Sequence, residues 1–458
     1  MKTRRFFSLF FCLLVLLALA APAYAAEGDA GDWEVEAKAA LLIDPDTEEI
    51  LYARNIYERL YPASLTKIMT CLLVLESIDQ GALSLETVLT ASELAINSVP
   101  ADGSTAGIKP GEELTVEQLL YCIMLSSANE GCNILAEAVA GSVDAFVEEM
   151  NEKAAALGCE DTHFVNANGM PDDDHYTTAW DLYLITREAR RDPAFMPLVN
   201  TIYYEVPATN LSEARKLRTT NYLISNWYTA GYLYRGAAGI KTGFTNSAGY
   251  CLISTATRSG RSLLSVVMGA ERVTLEDGTI LTKSFSETIK LYDWGFENFT
   301  RQVILGADEL VGEVPVKLSQ EQDFVKVHPA QEIERLFPKD MDPVKDIERT
   351  ITLEAESVDA PVEKGQVLGQ ITLSYQDSVY ACVDLLADED VEASRLLLLQ
   401  RDILEFLHRP AVWIAAGGAV ALVVALLLIR MALRSRRRRY GRGPAAARRS
   451  SGYRGRKR

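Results

Sequence analysis

The chain has 458 residues, of which 46 are basic and 63 acidic, for a formal net charge of −17 at neutral pH. Three basic residues lie in the first 25 and thirteen follow Ile429, so the stretch between holds 30 basic residues against all 63 acids, about −33. Such a body repels a phosphate backbone, which excludes nucleic acid as its partner, and a chain of this length implies more than one domain.

Lys2, Arg4 and Arg5, an apolar run over 6–21 and the small-x-small site Ala23-Tyr24-Ala25 read together as a secretory signal peptide, residues 1–25. A first domain is expected over 33–300. Apolar residues at 39–44 and 50–53 flank Pro45-Asp46-Thr47-Glu48, the pattern of two strands around a turn. Helical periodicity follows at 65–76, 116–124 and 132–140. The pattern returns to strands at 250–257 and 262–269, on either side of Arg258-Ser-Gly-Arg261, before a last helix over 282–296. Early strands, central helices and late strands fit an antiparallel sheet flanked by helices, an α+β architecture.

From 301 to 392 short β-like runs alternate with polar turns, which predicts a small all-β domain. Residues 393–410 read as a helical connector. The next 19 residues, 411–429, carry no charge and as a helix would span about 28 Å, the thickness of a bilayer core. Thirteen Lys or Arg and no acid occupy the tail 430–458. Positive charge stays inside, so the tail is expected in the cytoplasm and the body outside, a single-pass membrane protein.

Seven cysteines are present, of which Cys12 leaves with the signal. Cys71, Cys122 and Cys132 sit in apolar helical patterns and read as free core thiols. No spacing suggests zinc. The acidic run Asp172-Asp173-Asp174 follows Pro171 and reads as a solvated turn rather than a metal site.

Three short motifs carry chemistry. Ser64-Leu-Thr-Lys67 sets a hydroxyl and an amine three residues apart, on one face of a helix. A buried Lys67 gives up its proton readily and can then take that of Ser64, making the oxygen a nucleophile. Ser127-Ala-Asn129 follows an apolar helix; Ser127 would relay a proton to a leaving amine, and Asn129 offers an amide donor and acceptor to a substrate backbone. Lys241-Thr242-Gly243 opens a strand beside Gly236 and Gly239, where Lys241 and Thr242 would bind a terminal carboxylate and Gly243 permits close approach. The backbone N–H groups of Ser64 and Phe244 would form the oxyanion hole. Neither a metal nor an organic cofactor enters this chemistry.

With these motifs the chain resembles the low-molecular-weight penicillin-binding proteins of the serine-type D-alanyl-D-alanine carboxypeptidase family. The resemblance extends to residues 60–70, 162–171, 175–179, 239–245 and 294–296. It implies a β-lactamase/DD-peptidase-like fold and removal of the terminal D-alanine from peptidoglycan stem pentapeptides through an acyl-enzyme on Ser64. It also implies that β-lactam antibiotics acylate the same serine. Two positions depart from the family pattern: Ala128, where glycine is usual, and Phe244, often a polar residue.

Two other functions share the motifs. A β-lactamase of class A needs a separate glutamate for deacylation, and no convincing Glu-x-x-x-Asn segment lies between Ser127 and Lys241. A covalent penicillin or muropeptide sensor would signal through the tail, which is mostly Arg, Gly, Ala and Ser with little to fold. The four histidines accompany no Gly-x-Ser-x-Gly elbow, so a Ser-His-Asp triad is not expected.

Overall fold

The computed structural model describes residues 34–375 and 378–439. The signal expected at 1–25 and most of the basic tail, 440–458, lie outside the described residues. By contacts the chain divides into two compact units. One runs to Ala307 and takes back Gln331–Ile351 and Ile371–Val383; the other holds Asp308–Ala330, Thr352–Gln370 and the chain from Asp384.

The first unit is built on five antiparallel strands: β1 (Ala39–Asp44), β2 (Glu49–Arg54), β3 (Ala237–Thr245), β4 (Gly249–Arg258) and β5 (Arg261–Ala270), in the spatial order β2-β1-β5-β4-β3. Residues 39–43 of β1 are apolar without alternation because both sheet faces are covered. Side chains alternate across a strand, so Ala39, Leu41 and Ile43 enter one core and Ala40 and Leu42 the other. The first core is filled by helices α1 (Lys67–Asp79), α2 (Val116–Leu125), α3 (Asn129–Ala140) and α4 (Ala179–Ala189). The second is closed by α5 (Lys283–Asn298), through Leu291, Tyr292 and Trp294.

Helix α1 is the pivot of the larger core. Every residue from Lys67 to Leu75 is buried, as befits a helix apolar on all sides. Around it the helix ends are set by local chemistry. Thr115 and Gln118 form a capping box on α2, and α3 stops at Gly141, whose φ of 81° is the left-handed conformation of a helix terminator.

The first unit does not end where α5 does. Phe299–Leu305 pairs antiparallel with Ile333–Pro338, and Glu49 accepts a hydrogen bond from the Leu336 N–H at 2.8 Å. In the second unit Gly312–Lys317 pairs antiparallel with Phe324–Pro329 and parallel with Val358–Asp359. Helix α6 (Arg395–His408), capped by Ser394, and helix α7 (Pro410–Arg439) complete it. The stretch Pro410–Arg434 has a mean hydropathy of 2.7 and is long and apolar enough to cross a membrane. The protein is therefore α+β: an antiparallel sheet flanked by helices, then an all-β segment and one apolar C-terminal helix.

Candidate active site

Ser64 lies in a single 3-10 turn, Ala63–Thr66, that feeds directly into α1. The helix thus begins at Lys67, two residues later than the periodicity suggests. Ala63 is held at φ 48°, a region that side chains disfavour. The Thr66 hydroxyl holds it there by donating to the Ala63 carbonyl at 2.9 Å. One turn later, Lys67 Nζ stands 3.1 Å from Ser64 Oγ.

Lys67 is fully buried and has two further partners: Asn129 Oδ1 at 2.7 Å and the backbone carbonyl of Asn168. Both are acceptors only. A neutral amine gives its two hydrogens to these oxygens and turns its lone pair to the remaining partner, the Ser64 hydroxyl. Burial favours that state, holding the Lys67 pKa below the usual lysine range, although Cys132 and Glu130 pull the other way.

Ser127 sits in the turn between α2 and α3 at φ 60°. Its Oγ is 2.9 Å from Ser64 Oγ and 3.2 Å from Lys241 Nζ. Lys241, in β3, is also buried; its ammonium further donates to the Thr242 carbonyl at 3.1 Å. Burial, followed by repulsion from Lys67, pushes its pKa down to about 7. The result is one connected row of polar groups: Lys67, Ser64, Ser127, Lys241.

Gly243 explains why β3 can lie against this row. A Cβ at this position would stand 3.0 Å from the Pro62 carbonyl and 3.2 Å from Ser64 N. The side chain of Phe244 points away, half exposed and stacked on Tyr250 at 4.3 Å. The Thr242 hydroxyl bonds Thr220, while Asn221 holds the Gly239 carbonyl, so β3 is braced from the 219–221 segment. Asn129 opens α3, three residues before the start suggested by periodicity, with Oδ1 on Lys67 and Nδ2 3.3 Å from Met170 Sδ.

The side chains of Ser64, Lys67, Ser127, Asn129 and Lys241 are brought together here and Gly243 lies against Ser64, whereas the Thr242 hydroxyl is engaged by Thr220 and the Phe244 side chain points away. Motif reasoning missed the segment 162–178, which supports Ser64 and Lys67 from another side. Asn166 Oδ1 accepts from the Gly169 N–H at 2.7 Å, and Asn168 supplies the carbonyl on Lys67. Gly169, at φ 85°, lies so near Ala63 that a Cβ would fall 1.9 Å from its carbonyl oxygen. Buried Glu130 ties in the 105–106 backbone, accepting from the Thr105 hydroxyl at 2.6 Å and the Ala106 N–H at 2.7 Å. Asn-Ala-Asn-Gly is turn chemistry in any loop, and only its likeness to a known segment singled it out. Among the described residues all six cysteines are free, and Asp172, Asp173 and Asp174 form an exposed turn.

The family model for D-alanyl-D-alanine carboxypeptidase matches residues 24–272, and that for the penicillin-binding protein 5 C-terminal domain matches 299–393. The chain is 32% identical over 381 residues to the D-alanyl-D-alanine carboxypeptidase DacF of Bacillus subtilis (strain 168), covering 83% of this chain and 92% of that one. It is 31% identical over 341 residues to DacA of Escherichia coli (strain K12), covering 74% and 79%. Penicillin binding protein 5 from Haemophilus influenzae superposes with a TM-score of 0.60 at 27% identity, over 79% of this chain and 99% of its own. The chain belongs to the D-alanyl-D-alanine carboxypeptidase family and is a serine-type peptidase.

Proposed function

We propose that this protein removes the terminal D-alanine from peptidoglycan stem pentapeptides through an acyl-enzyme on Ser64, and that β-lactams acylate the same residue. The observation that carries the reading is the bonding of Lys67: two acceptor-only oxygens and one hydroxyl around a buried amine.

Free-base Lys67 takes the Ser64 proton as Oγ attacks the carbonyl carbon of the penultimate residue. The oxyanion is stabilised by the N–H groups of Ser64 and Phe244, and Lys241 with Thr242 binds the terminal carboxylate. As the C–N bond breaks, the proton held by Lys67 is relayed through the Ser127 hydroxyl, which bridges Ser64 and Lys241, to the amine of the departing D-alanine, and Lys67 is a free base once more. Water then attacks the ester with Lys67 again as base, and Ser64 recovers its proton. Asn129 keeps Lys67 aligned and offers its amide to the substrate backbone.

The organisation proposed around this site is a signal at 1–25, a catalytic domain over 33–300, a β-rich domain over 301–392 and a helical connector at 393–410. The segment 411–429 anchors it in the membrane, with the 430–458 tail in the cytoplasm. The apolar stretch Pro410–Arg434 supports the anchor. The test is to treat the full chain with a labelled penicillin and map the adduct by mass spectrometry. Label on the Ser64 peptide is expected; label elsewhere, or none, refutes the reading.

A further inference from the structure

His175 is buried, yet it touches none of the groups in the row from Lys67 to Lys241. Its two ring nitrogens are both engaged. Nδ1 accepts a hydrogen bond from the Val165 N–H at 3.1 Å, so that nitrogen carries no proton. Nε2 stands 2.8 Å from Thr66 Oγ1, whose own hydrogen is given to the Ala63 carbonyl. The threonine oxygen can therefore only accept from the ring, and Nε2 must bear the hydrogen. The two contacts independently select the same neutral tautomer.

This ring joins two pieces of chain. One is the Ala63–Thr66 turn, with Ala63 at φ 48° immediately before Ser64. The other is the 163–176 loop, closed by backbone pairing of His163 with Tyr176. That loop delivers the Asn168 carbonyl to Lys67 and, from Ala167, a carbonyl to the Thr70 hydroxyl. Nucleophile and base are thus held by one turn and one loop, clasped by a single imidazole.

We propose that His175, acting through Thr66, is a positioning residue for acylation: its Nε2–H fixes the Thr66 hydroxyl on the Ala63 carbonyl and so keeps Ser64 in line with Lys67. This rests on Ser64 being the nucleophile. The ring's neutral state is protected by burial, which outweighs the pull of Asp172, while His163 and Lys67 also oppose a second proton. Phe164 packs edge-on at 5.6 Å.

The test uses the full chain in detergent, with penicillin acylation rates measured per folded molecule, steady-state constants on a D-Ala-D-Ala peptide, and thermal unfolding in parallel. His175→Leu and Thr66→Val each remove the clasp; His175→Gln keeps an amide donor for Thr66 and an oxygen for Val165. We expect the first two to slow acylation and lower kcat by about 10- to 100-fold, the scale of a sub-ångström to ångström misplacement, with KM little changed. Gln should restore the rate to within about threefold, and Leu and Val combined should cost no more than either alone, as for groups acting as a unit. Should His175→Leu fail to fold, Thr66→Val and His175→Gln carry the comparison. Wild-type rates per folded molecule in Thr66→Val or His175→Leu, or a folded Gln variant acylating as slowly as Thr66→Val, would overturn the proposal. A wild type that takes up no penicillin refutes the nucleophile assignment itself, and the clasp with it.

Discussion

Replacing Lys241 by methionine should stabilise the fold at pH 6 while it disables the enzyme. The Lys241 side chain is buried beside a second lysine, and its pKa falls from 10.5 to about 7. At 1.36 kcal/mol per pH unit, an ammonium there costs the folded state about 5 kcal/mol below pH 7 relative to the unfolded chain. The sign follows from proton counts: between pH 7 and 10.5 the unfolded chain holds the extra proton, so wild-type stability rises with pH across that window. Methionine removes the penalty but also the hydrogen bonds to Ser127 and Thr242, together about 1–2 kcal/mol. A net gain of about 3 kcal/mol at pH 6 remains, a rise in Tm of roughly 6–12 °C for a domain of this size. The gain should vanish by pH 10. Thermal unfolding of both proteins at pH 6, 8 and 10 is the assay, with kcat/KM on a D-Ala-D-Ala peptide expected to fall about a hundredfold or more as the carboxylate loses its partner. A variant no more stable than wild type at pH 6, or a difference independent of pH, would refute the reasoning.

Other consequences are equally direct. His175, with its pKa pushed down to about 4 by burial, makes the unfolded chain the better proton binder between pH 4 and 6.5. About 3 kcal/mol of stability should be lost as pH falls through that window, and a pH series of unfolding midpoints should show a flatter acid limb in His175→Gln. Gly169→Ala places a methyl against the Ala63 carbonyl at a positive φ; a loss of more than about 2 kcal/mol is expected, with penicillin acylation slowed in whatever folds. Phe244→Ser should leave acylation within about threefold of wild type, because the side chain is half exposed and the role proposed for Phe244 uses only its backbone N–H.

The motifs were readable because the chemistry imposes local spacing. Ser64 and Lys67 meet across three residues, and alternation in β1 or the hairpin between β4 and β5 is equally short in range. The supports of that chemistry are not local. His175 reaches Thr66 across 109 residues, and Lys67 meets the Asn168 carbonyl across 101. Backbone carbonyls leave no mark in composition. The same holds for Ile333–Pro338, which pairs back onto Phe299–Leu305 in the first contact unit, a unit that runs to Ala307. The 3-10 turn at Ser64 was hidden for a different reason. Its residues suit a helix, and a strained Ala63 braced by Thr66 and Gly169 overrides that preference.

Release of D-alanine from a peptide ending in D-Ala-D-Ala, by the full chain and by Ser64→Ala, tests the central claim most directly. Sustained release by the wild type, reduced about a million-fold in the variant as for an essential serine nucleophile, is the predicted result. Turnover by Ser64→Ala within tenfold of wild type, or no release from a wild type that still binds penicillin covalently, would contradict it.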